Sequence, residues 1–142
     1  GVAPSRLEGI VVDDEQAILT GQWSASSSAG KWVGSGYLHD ENAHDGKATA
    51  CFEAKLPTAG RYEVRLAYAA NPNRASNVPV VVRHAGGEKT VLVNQKQTPA
   101  IDGLFVSLGE FEFSAESPAA VVVCNRDTDG HVIVDAVQWL AN

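Results

Sequence analysis

The chain has 142 residues and a net charge of -6, from 11 basic against 17 acidic side chains. That length fits one domain with an ordinary core, and the lack of any Lys/Arg cluster excludes a surface built to follow nucleic acid or an anionic membrane. No apolar run is long enough to cross a bilayer, and the opening "GVAPSRLEG" lacks the layout of a signal peptide, so any export signal is expected to have been removed or to belong to a longer parent.

In chain order, "GIVVDD" opens a first strand, and "DDEQAILTGQW" allows a helical turn that Gly21 and "SASSSAG" end within a few residues. Next, "KWVGSGYL" reads as a strand. Trp32 and Tyr37, with Trp23, stand in or beside Gly/Ser-rich connections, where a ring is either core or a half-exposed platform for a pyranose. "HDENAHDG" is a connection built of the residues connections use. His39 and His44 stand too far apart to share a helix face as HExxH requires, so the segment is expected to be a solvated loop, with a wrapped cation as the alternative.

"ATACFEAKLP" sets Ala48, Ala50, Phe52, Ala54 and Leu56 on one side, and "RYEVRLAYA" sets Tyr62, Val64, Leu66 and Tyr68 on one side. With "TAG" between them the two are predicted to pair as a hairpin. "NPNRASNVP" then crowds Asn73, Arg74 and Asn77 into one loop, either a polar turn or a set of donors and acceptors suited to sugar hydroxyls. "VPVVVRH" and "KTVLVNQ" form a hairpin through "AGGE", which is expected to bring Arg83 and His84 near Asn94 and Gln95. "LFVSLGEFEF", "AAVVVCN" and "HVIVDAVQWL" complete about eight or nine antiparallel strands, an all-β sandwich or barrel occupying residues 1–142 as one domain.

Asp135 falls on the same side of its strand as Ile133, Val137 and Trp139, so its carboxyl points toward an apolar layer. There it must be hydrogen-bonded, protonated or bound to a cation. Cys51 and Cys124 lie in strand contexts without CxxC spacing, and are either one long-range disulfide or two buried thiols. No GxSxG elbow, no Cys beside His and no phosphate-cradling glycine loop occurs, so catalysis is not expected.

Taken together, "GIVVDDEQAILTGQW", "KWVGSGYLHD", "LPTAGRYEVRLAY", "NRASNVPVVVRHAGG", "GLFVSLGEFEF" and "TDGHVIVDAVQWL" resemble the golvesin C-terminal or xanthan-lyase carbohydrate-binding-like domain. Such domains are appended to secreted bacterial FAD-dependent oxidoreductase-like proteins and polysaccharide lyases. The resemblance implies a jelly-roll, galactose-binding-like sandwich excised from a larger chain that is secreted, periplasmic or at the cell surface. It implies a non-catalytic accessory role, binding polysaccharide or, alternatively, packing on the parent protein's catalytic domain without binding sugar. Asn73, Arg74, Asn77, Trp32, Tyr37 and His39 are the candidate sugar contacts. By the same resemblance, Asp13, Asp14 or Glu15 near the first strand, with Asp135 in the last, match positions that hold a structural calcium ion in related jelly-roll modules. Those modules show Glu-x-Glu where this chain has Asp-Asp-Glu, and their loop pair of aromatic rings has no obvious counterpart here.

Overall fold

Twelve strands in three sheets make up the protein, whose computed structural model describes residues 1–142. One sheet has the order β1 (Ile10–Asp13), β12 (Ala136–Ala141), β6 (Gly60–Ala67), β9 (Phe105–Phe113). Facing it is a sheet of β2 (Ile18–Thr20), β5 (Thr49–Ala54), β10 (Ala119–Cys124), β7 (Val78–His84) and β8 (Gly87–Val93). A small third sheet joins β11 (Ile133–Val134), β4 (Tyr37–His39) and β3 (Ser24–Ser26). All strand pairs are antiparallel. No helix is long and apolar enough to cross a membrane.

Alternation builds the core. Phe52, Val64, Leu66, Val80, Val82, Val121, Val123, Val137 and Trp139 are all sealed between the two large sheets, where β-branched and aromatic side chains fit the pleat. A smaller cluster of Val33, Ala67, Leu104, Phe105 and Ala136 covers part of the outer face of the four-stranded sheet.

Two expectations on pairing are corrected, and the strand count is higher than expected. The inward residues of β5 and β6 are as read, but β5 pairs with β2 and β10 while β6 pairs with β12 and β9, so the segment between them crosses from one sheet to the other and is no hairpin turn. The β7–β8 hairpin does form, yet His84 pairs with Gly87 and Val78 with Val93, which leaves Arg83 and His84 at the turn and Asn94 and Gln95 at the far end. The strand count exceeds eight or nine because three-residue pieces such as β2 and β3 are too short to show an alternation.

Cys51 pairs with Val122, and Cys124 with Thr49, so the cysteines are diagonal neighbours; both thiols are free and partly exposed.

Candidate functional site

β1 ends on Asp13, whose partner across the ladder is Ala136, immediately after Asp135. The chain then turns through a 3-10 segment, Asp14–Gln16, closed by a reciprocal cap: Asp13 accepts from the Glu15 amide and the Gln16 side chain accepts from the Asp13 amide. This turn and the break between β11 and β12 bring three carboxyls, Asp13, Asp14 and Asp135, to one buried place. Asp135 is fully buried; its Oδ2 accepts from the Val33 amide at 2.9 Å, and its Oδ1 has no partner. Asp13 Oδ1 is likewise buried and unpartnered.

Burial is the main force on this group. It pushes Asp135 up to about 8, against the Val33 amide and with the charge of Asp13. Asp14 is raised well above the carboxylate range, first by burial and then by the closeness of the Asp13 carboxyl and the charges of Asp13, Asp135 and Glu15. Asp14 and Asp135 therefore hold protons at neutral pH that a cation would replace. Gly34 leaves room beside them: its φ is +69°, and a Cβ there would sit 3.0 Å from Asp13 Oδ1. Two orphaned carboxyl oxygens and this glycine cradle fit a hard, oxygen-seeking cation. No three of the chain's His, Cys, Asp and Glu side chains make a ready metal cage, so such a cation would need backbone carbonyls and water to complete its shell, as calcium accepts.

A surface cleft of about 290 Å³ opens beside this centre, lined by Asp14, Glu15, Ser26, Ser27, Ser35 and Tyr37 among others. Ser35 donates to Glu15 at 3.0 Å. The buried Tyr37 hydroxyl accepts from the Ala29 amide at 3.1 Å and from Arg74 Nη2 at 3.3 Å. Burial opposes ionisation of Tyr37, but its hydrogen bonds with Ser26, Ser28, Arg74 and Ala29 together lower its pKa. Nothing in the reading of the sequence singled out these serines. "SASSSAG" served there only to end a helix, although its density of hydroxyls was the available signal.

The remaining candidates fall in several places. Trp32 is half-buried, its ring 6.1 Å from that of Tyr37, beside a hollow of about 240 Å³. Arg74 is turned inward: Nε donates to the Ala69 carbonyl, Nη1 to Asn73 and Nη2 to Tyr37, and its guanidinium lies over the Tyr37 ring. The loop is thus pinned by Arg74, through a carbonyl, an amide oxygen and a hydroxyl. Asn77 bridges two loops, donating to the Asp127 carbonyl and accepting from the Asp129 amide. Asn73 is exposed, and His39 stands edge-on to His131 at 5.8 Å.

The "HDENAHD" loop is more ordered than a wet connection. Asp40 is fully buried and accepts from the Asn42 and Val132 amides and from Asn125 Nδ2, while Asn125 also donates to Asp45. Asp40 and Asp45 are spent on folding the loop.

The golvesin C-terminal domain family model matches residues 10–140. The chain belongs to that family. It is 36% identical over 141 residues to a xanthan lyase of Bacillus sp. (strain GL1), covering 95% of this chain and 15% of that protein. The structure of Paenibacillus xanthan lyase superposes with a TM-score of 0.86 at 33% identity, over 93% of this chain and 13% of that one. The chain therefore spans about a seventh of the length of these relatives. Two further structures share the fold at 18% identity. One is the Podospora anserina GH26-CBM35 β-(1,4)-mannanase, with a TM-score of 0.69 over 94% of this chain and 27% of that one. The other is a CBM35 from Paenibacillus barcinonensis, with a TM-score of 0.65 over 94% of this chain and all of that one. The all-β sandwich rests on these matches together with the strand pairing.

Proposed function

We propose that this golvesin C-terminal domain is a non-catalytic module that binds polysaccharide for a larger exported bacterial protein. The observation that carries the reading is the cleft of hydroxyls and carboxyls between the acidic centre and Tyr37, in a chain akin over nearly its whole length to part of a xanthan lyase. Sugar hydroxyls both donate and accept, and Ser26, Ser27, Ser35 and Glu15 offer both roles. Trp32, whose ring lies 6.1 Å from that of Tyr37 beside a separate hollow, would supply an apolar face next to the cleft. Arg74 and Asn77 hold the loops in shape from behind.

Asp13, Asp14 and Asp135 would hold one calcium ion, whose positive charge would offset the burial that keeps Asp14 and Asp135 protonated. The first strand and the last would then be tied at the base of the cleft. A thermal melt with calcium and then with excess chelator tests the metal. A ligand held only by the folded state adds about 2.7 kcal/mol at a hundredfold excess over its dissociation constant, so chelation should lower the midpoint. An unchanged midpoint would remove the ion. Affinity electrophoresis through gels containing xanthan or β-1,4-mannan tests the sugar: retarded migration is expected with at least one, and free migration through both would count against binding.

A second reading, docking on the parent's catalytic domain, draws on the outer face of the five-stranded sheet. Ile18, Cys51, Val122 and Val81 form one cross-strand row there, with Leu92 nearby. Ile18 is 56% and Leu92 67% exposed, and no aromatic ring stands among them to stack on a sugar. In the parent protein, Ile18→Ser with Leu92→Ser should loosen the domain and expose its junction to protease; unchanged proteolysis would remove this face from any contact.

A further inference from the structure

The outer face of the four-stranded sheet carries a cleft of about 310 Å³ that shares no residue with the acidic centre or the serine-lined cleft. Its floor is a cross-strand pair, Arg65 on β6 and Gln138 on β12. Leu7, Leu104 and Leu140 supply apolar wall.

Gln138 is only 3% exposed, and its amide is fixed in one sense because Nε2 donates to the Glu8 carbonyl at 2.9 Å. Oε1 is left buried with no partner. Arg65 is held by the ion pair of Nη2 with Glu63 at 2.9 Å, and its Nε is also buried and unpartnered. A bulge between Val64 and Arg65 shifts the register against β9 at this point, a device that re-aims side chains.

A buried donor and a buried acceptor on paired residues each carry a desolvation cost until they are matched. One group satisfies both: a hydroxyl, which accepts from the Arg65 N–H and donates to the Gln138 carbonyl oxygen. Water has that chemistry too, but a cleft of this size with leucine walls also has room for the apolar flank of a pyranose. The charges near it, Arg6 and Arg65 against Glu8, Glu63 and Asp102, leave no net positive field to attract a carboxylate.

We propose that this cleft is a second saccharide subsite, taking a neutral pyranose that sets one hydroxyl between Arg65 and Gln138. It rests on the reading that the domain binds polysaccharide, and it would let one module hold two points of a chain or two chains.

The test is an NMR titration of the whole domain with methyl α-mannoside, methyl α-glucoside and sodium glucuronate, up to roughly 50 mM to saturate weak sites. The Arg65 Nε–H and Gln138 side-chain amide signals are expected to shift together and saturate with a neutral glycoside, and glucuronate should bind there at least tenfold more weakly. Gln138→Leu should abolish the response; if that variant does not fold, the wild-type titration decides alone. Shifts around Ser26 and Tyr37 with none at Arg65 and Gln138 would overturn the second subsite and leave the module reading intact. No shift at either place would sink both. Equal or tighter binding of glucuronate would overturn the neutral-sugar assignment.

Discussion

Asp13 and Asp135 flank the Val33–Gly34 backbone, and each leaves one buried carboxyl oxygen without a hydrogen-bond donor. An unmatched buried polar atom costs roughly 1–3 kcal/mol, so this pair burdens the metal-free fold at the place where its first and last strands meet.

The pH dependence of the metal-free protein follows from the same carboxyls. The folded Asp135 titrates at about 8 against 3.8 for the free side chain, and Asp14 is raised in the same sense. Below the lower value both states are protonated and nothing is lost. Between the ordinary and raised values the unfolded chain releases protons that the folded chain keeps, so stability falls as pH rises and levels off above about 9. Chelated protein should lose a few kcal/mol across that window, measured by urea unfolding, and Asp135→Asn should flatten the slope. A metal-free stability that climbs from pH 4 to pH 8 would contradict the burial of these groups.

Gly34 should tolerate no side chain. Its left-handed backbone strains any other residue, and a Cβ would press on Asp13 Oδ1. Gly34→Ala is expected to cost about 1–3 kcal/mol and to abolish any gain from calcium. A variant with wild-type melting and an undiminished calcium response would show that the cradle has no role.

Arg74→Ala should unfold the loop region rather than trim a binding surface. Removing the guanidinium strands the Ala69 carbonyl and takes one of several partners from the Tyr37 hydroxyl, a loss on the order of 1–3 kcal/mol in a denaturant titration. Arg74→Lys cannot reach all three partners and should recover only part of it. Loss of sugar binding with unchanged stability would restore Arg74 as a direct contact.

Asp40→Ala should be nearly as damaging, since it frees the Val132 and Asn42 amides and Asn125 together. The check is hydrogen exchange: the Val132 amide is expected to lose protection, and full protection in the variant would place the loop's anchor elsewhere.

The sequence made some of this visible and concealed the rest for definite reasons. Period two marks which side of β5 and β6 is buried, and it sends Asp135 into the core, because alternation is a local property. Alternation is silent about which sheet a strand joins, so two neighbouring strands joined by "TAG" looked like a hairpin and are split between sheets. Polar residues were harder still. Arg74 and Asp40 sit in polar loops, where exposure is the usual expectation, and what buries them are partners such as Tyr37, 37 residues away, and Val132, 92 residues away. The orphan pair Arg65 and Gln138 could not be found at all without the register that sets them side by side.

The most direct measurement is isothermal titration of the domain with soluble xanthan, once in calcium and once in chelator. Saturable heat in calcium, weakened by chelation and by Tyr37→Phe with Ser35→Ala, is the expected result. No heat in either buffer from a folded domain would contradict polysaccharide binding and leave the apolar face of the five-stranded sheet as the working surface of the module.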